Sequence, residues 1–144
     1  MTDIAPDSDL QAVVAALAAA DSVLVSTHEN PDGDAIGSMT AAAVGLRQLG
    51  KRVRTYLEPQ STIPHEVSFL DTADLERRLD PADIDGWALL VVDCGNERRL
   101  GELHGELRAH AACVIDVDHH HDNSRFGDVA TMVSPFACAQ SIRL

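Results

Sequence analysis

Three short stretches of this chain concentrate groups that can bind metal. His28, Asp32 and Asp34 lie in HENPDGD, Asp93 ends ALLVVD, and Asp118, His119 and His120 end CVIDVDHH. Brought together, such carboxylates and imidazoles repel and shift one another's pKa, and divalent cations resolve the repulsion. Mixed His and Asp donors suit Mn²⁺, Fe²⁺, Zn²⁺ or Co²⁺ better than Ca²⁺. Two such ions held close together can activate a water and clamp a phosphoryl oxygen. That is the chemistry of phosphate-ester or anhydride hydrolysis. One cluster alone would read as turn and helix-cap residues, but three clusters following three apolar runs favour a metal site. Asp32-Gly33-Asp34 lacks the spacing of a calcium loop, and no glycine-rich nucleotide loop is present.

The elements that must position these groups can be read from the apolar pattern. Short strands are expected near 23–27, 53–57, 88–92, 113–117 and 129–133. The run at 88–92 is continuously apolar, the mark of a strand buried on both faces. Asp7 and Ser8 precede an amphipathic pattern that ends near Asp21, residues 35–49 are rich in helix formers, and Gly50 stands where a helix cap is needed. Leu100, Leu103 and Leu107 form a stripe that predicts one helix over 96–110. The proline-punctuated stretch 59–87 predicts two short helices. Helices alternating with strands give an α/β domain with a largely parallel sheet. The three clusters then meet at the carboxyl edge of that sheet, where such folds bind ligands.

Length and composition narrow the partners. A chain of 144 residues fits one domain, and 45% apolar with only 3% aromatic residues implies an aliphatic core. The formal net charge of −12 argues against binding duplex nucleic acid or anionic membranes through bulk electrostatics. A small phosphate ligand is compatible with that charge if cations receive it. Lys51 is the only lysine, while Arg98, Arg99 and Arg125 follow two of the candidate loops and offer phosphate contacts. No apolar run is long enough to cross a membrane, and MTDIAPDSDLQ has no basic leader region. Cys94, Cys113 and Cys138 are odd in number and lack zinc-ligand spacing. They read as small residues in a reducing cytosol, so a cytoplasmic location is expected.

HENPDGDAIGS (28–38), VVDCG (91–95) and DHHHDN (118–123) resemble, in order and separation, the first three motifs of the DHH phosphoesterases. PDGDAIGS is most similar to the branch that degrades very short oligoribonucleotides and dephosphorylates 3′-phosphoadenosine 5′-phosphate. Relatives in that branch also hydrolyse cyclic di-nucleotides. RecJ-type exonucleases and family II pyrophosphatases are more distant in the first motif. The resemblance implies two Mn²⁺ ions: His28 and Asp32 match ligands of one, Asp34 and His119 ligands of the other, and Asp93 the carboxylate that bridges them. It implies that His120 acts at the substrate phosphate, that Asp118 orients a ligand, and that Arg99 and Asn123 lie near the phosphate. His121 is assigned no role.

The family pattern continues beyond this sequence to a fourth motif and a DHHA1 domain. The chain is therefore expected to be one DHH domain over 1–144, incomplete at its C-terminus, with a weakened second metal site. Apolar surface left uncovered there invites association, such as a homodimer. The expected function is a cytoplasmic Mn²⁺-dependent phosphoesterase of small nucleotides. The alternative is a catalytically inactive metal-binding or structural fragment.

Overall fold

The computed structural model describes residues 8–132. Helix α1 (Ser8–Ala19) leads into β1 (Ser22–Ser26), α2 (Gly33–Gln48) and β2 (Arg52–Tyr56). A two-residue β3 (Leu75–Glu76) follows, then β4 (Ala88–Val92), α3 (His104–His110), β5 (Cys113–Asp118) and β6 (Val129–Met132). The six strands form one sheet in the order β3-β2-β1-β4-β5-β6, and all five neighbouring pairs are parallel. The expected α/β class, a parallel sheet flanked by helices, is what the chain adopts. The winding runs outward from β1 to β3, then resumes on the other side of β1 with β4. The reversal between β1 and β4 opens a crevice at their carboxyl ends.

Burial follows the pleat. All five residues of β1 and of β4 are buried, as a central parallel strand requires. Val23, Val25, Leu90, Val92 and Ile115 pack on one face with Ile36, Met39 and Leu46 of α2. Leu24, Leu89, Val91 and Val114 pack on the other with Ile84, Leu100 and Leu107. Alternate residues thus serve opposite faces. Tyr56 is the large aromatic exception in this otherwise aliphatic core.

Both ends of α2 are specified locally. Asp32 is its N-cap, accepting the Ala35 N–H at 2.9 Å. At the other end Gly50 takes φ +80°, its N–H donates to Arg47 O at 2.9 Å, and Lys51 N–H donates to Leu46 O at 3.1 Å. This pair of bonds is a Schellman cap, with glycine at the left-handed position. At the sheet edge, Arg54 fastens β3 through two 2.7 Å hydrogen bonds to Glu76.

Two expectations change. The single helix over 96–110 is instead a 3₁₀ turn, Glu97–Leu100, and the short α3. Gly101 breaks it with φ +99°, a conformation glycine adopts without strain. Leu100 and Leu107 still face the core, so the apolar stripe survives the break. Within 59–87 the helices are 3₁₀ turns, His65–Val67 and Pro81–Ile84, with the unforeseen β3 between them. A two-residue strand is too short to show alternation. Asp7, Val133 and Cys138 lie outside the described residues. Cys94 is buried and free, and burial pushes its thiol up to about 12, as suits an inert core residue. No helix among the described residues is long and apolar enough to cross a membrane.

Candidate metal centre

The first cluster hangs from the end of β1. Thr27 Oγ1 donates to Val92 O at 2.8 Å, tying the exits of β1 and β4 together. His28 is buried, with Nδ1 2.8 Å from Glu29 O. A proton on Nδ1 serves that carbonyl and leaves the Nε2 lone pair toward Asp93, whose Oδ2 is 3.8 Å away. Arg99 Nη2 lies 3.2 Å from the same Nδ1, a contact that is a hydrogen bond only in the other tautomer. The Asp93 carboxylate raises the His28 pKa against the opposing effect of burial. Asp32 stands exposed at the α2 N-cap, and Asp34 follows in the first turn.

Asp93 leaves β4 in the left-handed region, with φ +53°. For an L-residue that conformation costs roughly 1–2 kcal/mol, and Asp is among the few side chains that adopt it. The turn buries the carboxylate and directs it at His28 and His119, with His120 Nδ1 also 3.8 Å from its Oδ1. Its Oδ1 is 2.9 Å from His119 Nε2, and its Oδ2 faces His28. His119 Nε2 is also 3.2 Å from Asp34 Oδ2. His28, Asp32 and Asp93 offer ligand atoms that all lie within 4.8 Å of one another, and so do Asp93, Asp118, His119 and His120.

The third cluster divides into two layers. Asp116 and Asp118, two apart on β5, point to one face, and both are buried. Asp118 Oδ1 is 2.6 Å from His120 Nδ1, and its Oδ2 accepts from Asn123 Nδ2 at 2.7 Å. The hydrogen bond to Asp118 raises the His120 pKa, although burial opposes it. Asn123 also donates to Asp116 Oδ2 at 2.8 Å, so its amide clamps the two carboxylates. Asp116 escaped sequence reasoning. Its place two residues before Asp118 on a strand was the available signal. Burial pushes its carboxyl up to about 7, although the Asn123 hydrogen bond pulls the other way.

The fold therefore brings His28, Asp32, Asp34, Asp93 and His119 to one place, with His120 beside them. His120 and Arg99 share a cleft of about 190 Å³ with Gly95, Asn96 and Asp122. Asn123 sits behind His120, against the acidic pair, and His121 is exposed. A larger hollow of about 420 Å³ lies at the opposite end of the sheet, lined by Ser22, Arg52 and Trp87, and holds none of these groups.

The donor set fits divalent cations. Asp93 is buried and faces two imidazoles, while both oxygens of Asp118 are already engaged by His120 and Asn123. Asp93 thus faces His28 and His119 from one buried position, whereas the Asp118 carboxylate is turned to His120 and Asn123.

Known proteins resemble this chain in sequence and in fold. The chain is 30% identical over 125 residues to the bifunctional oligoribonuclease and PAP phosphatase NrnA of Thermus thermophilus. That match covers 84% of this chain and 35% of the relative. A probable NrnA of Streptococcus mutans is 28% identical over 137 residues, covering 90% of this chain and 39% of the relative. The chain thus spans little more than a third of the curated relatives it matches. An exopolyphosphatase-related protein from Bacteroides fragilis shares the fold, with a TM-score of 0.80 at 20% identity over 96% of this chain and 42% of that one. The model of the DHH family, N-terminal domain, matches residues 22–141, and the chain belongs to the DHH family.

Proposed function

We propose that this chain is the metal-binding domain of a Mn²⁺-dependent phosphoesterase, a hydrolase acting on small nucleotide phosphates. The observation that carries the reading is Asp93, buried and facing His28 on one side and His119 on the other, with Asp34 3.2 Å from His119. In this reading His28, Asp32 and Asp93 hold one ion, and Asp34, His119 and Asp93 hold the second. Bound there, the ions supply the Lewis acidity and positive charge that phosphoryl transfer needs.

The chain's own groups do the rest. With its proton on Nδ1, which faces Glu29 O at 2.8 Å, His28 offers Nε2 as a ligand. His120 holds its Nδ1 proton against Asp118, which fixes the ring and turns Nε2 toward the cleft and the substrate phosphate. Arg99 lines the same cleft and supplies a guanidinium for a phosphate oxygen. Asn123 contributes by holding Asp118, more than by reaching the phosphate directly. Substrates in this reading are short oligoribonucleotides, 3′-phosphoadenosine 5′-phosphate or cyclic di-nucleotides in the cytoplasm. The relatives named for the first two activities support that class. In this reading the 144 residues belong to one DHH domain.

The test is hydrolysis of that panel with Mn²⁺, by this chain and by the chain extended to the relatives' length. Activity in the extended protein that Asp93→Ala and His120→Ala remove is the expected result. Metal binding without hydrolysis by either form would assign the chain to non-catalytic metal binding instead.

A further inference from the structure

Resting on that metal-binding reading, we propose that Ser61 is a positioning residue for the first metal site, acting on His28 through the peptide between Glu29 and Asn30. The two ends of this one peptide are used in opposite directions. Its carbonyl faces His28 Nδ1 at 2.8 Å, and its N–H donates to Ser61 Oγ at 2.9 Å. A trans peptide is planar, with the carbonyl and the N–H pointing opposite ways. Holding the N–H therefore aims the carbonyl. The carbonyl, the nearer of the two groups at Nδ1, favours the proton there against Arg99 Nη2 at 3.2 Å, and so leaves Nε2 as the ligand atom facing Asp93.

Ser61 is itself held. It is buried, and its hydroxyl donates to Glu58 Oε2 at 3.3 Å, which leaves a lone pair for Asn30. Glu58 Oε2 also accepts the Gln60 N–H at 2.9 Å. Arg77 gathers the carbonyls of Glu58 and Pro59, at 3.1 Å each, and that of Ser61. The side chain of Glu58 also packs against Gly101, directly after the turn that carries Arg99. Asn30 is left-handed, with φ +48°, and the Glu29 N–H donates to Arg99 O. The loop from His28 to Asp32 is thus pinned from two sides. Of the two pins only Ser61 grips the peptide that faces His28.

The experiment compares wild type, Ser61→Ala and Ser61→Thr. Mn²⁺ affinity is read by electron paramagnetic resonance titration, and the His28 tautomer by ¹⁵N NMR of the metal-free protein. Ser61→Ala is expected to weaken Mn²⁺ binding by about tenfold or more, the lower end for groups that orient a metal ligand. It is also expected to move part of the His28 proton from Nδ1 to Nε2. Ser61→Thr, which keeps the hydroxyl, is expected to restore both. Should Ser61→Ala lose the fold, Ser61→Cys fills the site with a slightly larger group that is a weaker acceptor for Asn30 and a weaker donor to Glu58. An unchanged tautomer and unchanged Mn²⁺ affinity in a folded variant would overturn the proposal. Absence of Mn²⁺ binding in wild type would instead overturn the metal reading, and with it the purpose assigned to Ser61.

Discussion

Asp116 gives the most quantitative test of the site's electrostatics. It is 1% exposed, its Oδ2 accepts from Asn123, and its Oδ1 has no hydrogen-bond partner. Burial lifts its pKa from an ordinary 3.8 to about 7, with the nearby Asp118 charge adding to the rise. The unfolded chain therefore loses this proton at lower pH than the folded one. Between those values the folded state binds more protons, so stability falls as pH rises through the window. The whole rise is worth at most about 4 kcal/mol, of which about 3 kcal/mol falls between pH 5 and pH 8.

Asp116→Asn keeps an acceptor for Asn123 and removes the charge. The new amide also brings an unpaired donor, a cost of roughly 1–3 kcal/mol that does not depend on pH. The informative quantity is therefore the change in the variant's relative stability between pH 5 and pH 8, from which that cost cancels. Urea unfolding of both proteins, with chelator present, measures it. The variant should gain about 3 kcal/mol on wild type over that interval. A relative stability equal at the two pH values, within about 1 kcal/mol, would refute the reasoning, because Asp116 would then titrate alike in both states.

Other expectations follow from single contacts. Gly101→Ala should destabilise by about 2–4 kcal/mol in urea unfolding, because φ is +99° and the new Cβ would meet Glu58 Cβ at 2.9 Å. Asp118→Asn should lower the pH at which His120 loses its proton, followed by NMR, since that carboxylate is what raises the His120 pKa. By the same linkage, the stability wild type draws from this pair is present in acid and is lost as pH rises through the raised His120 value. Asp93→Asn tolerates the left-handed backbone and should still cost more Mn²⁺ affinity than the roughly 10–100-fold typical of a supporting residue. Mn²⁺ at a hundred times its dissociation constant should stabilise wild type by about 2.7 kcal/mol, and chelation should reverse it.

The sequence by itself determined five of the six strands, all but the two-residue β3, and the groups at their ends. A continuous apolar run as short as 88–92 reads as a strand buried on both faces, and Gly50 after a helical pattern reads as a cap. His28, Asp93 and His119 were legible because each follows such a run, so the parallel sheet alone carries them to one edge. Tertiary structure decided what those groups touch. No spacing in the chain says that Asp93 turns left-handed to face two histidines, because that depends on β4 lying between β1 and β5. Nor does it say that Glu58 packs against Gly101, which helps divide the helix expected over 96–110. Asn123 is 5 and 7 residues from the carboxylates it clamps, yet only the return of the loop over β5 aims its amide at them. Ser61 and Asn30 are 31 residues apart, and their hydrogen bond exists because β2 is paired beside β1. Local pattern fixes which residues leave the sheet at one edge; long-range packing, which no short window contains, fixes how their side chains and backbone meet there.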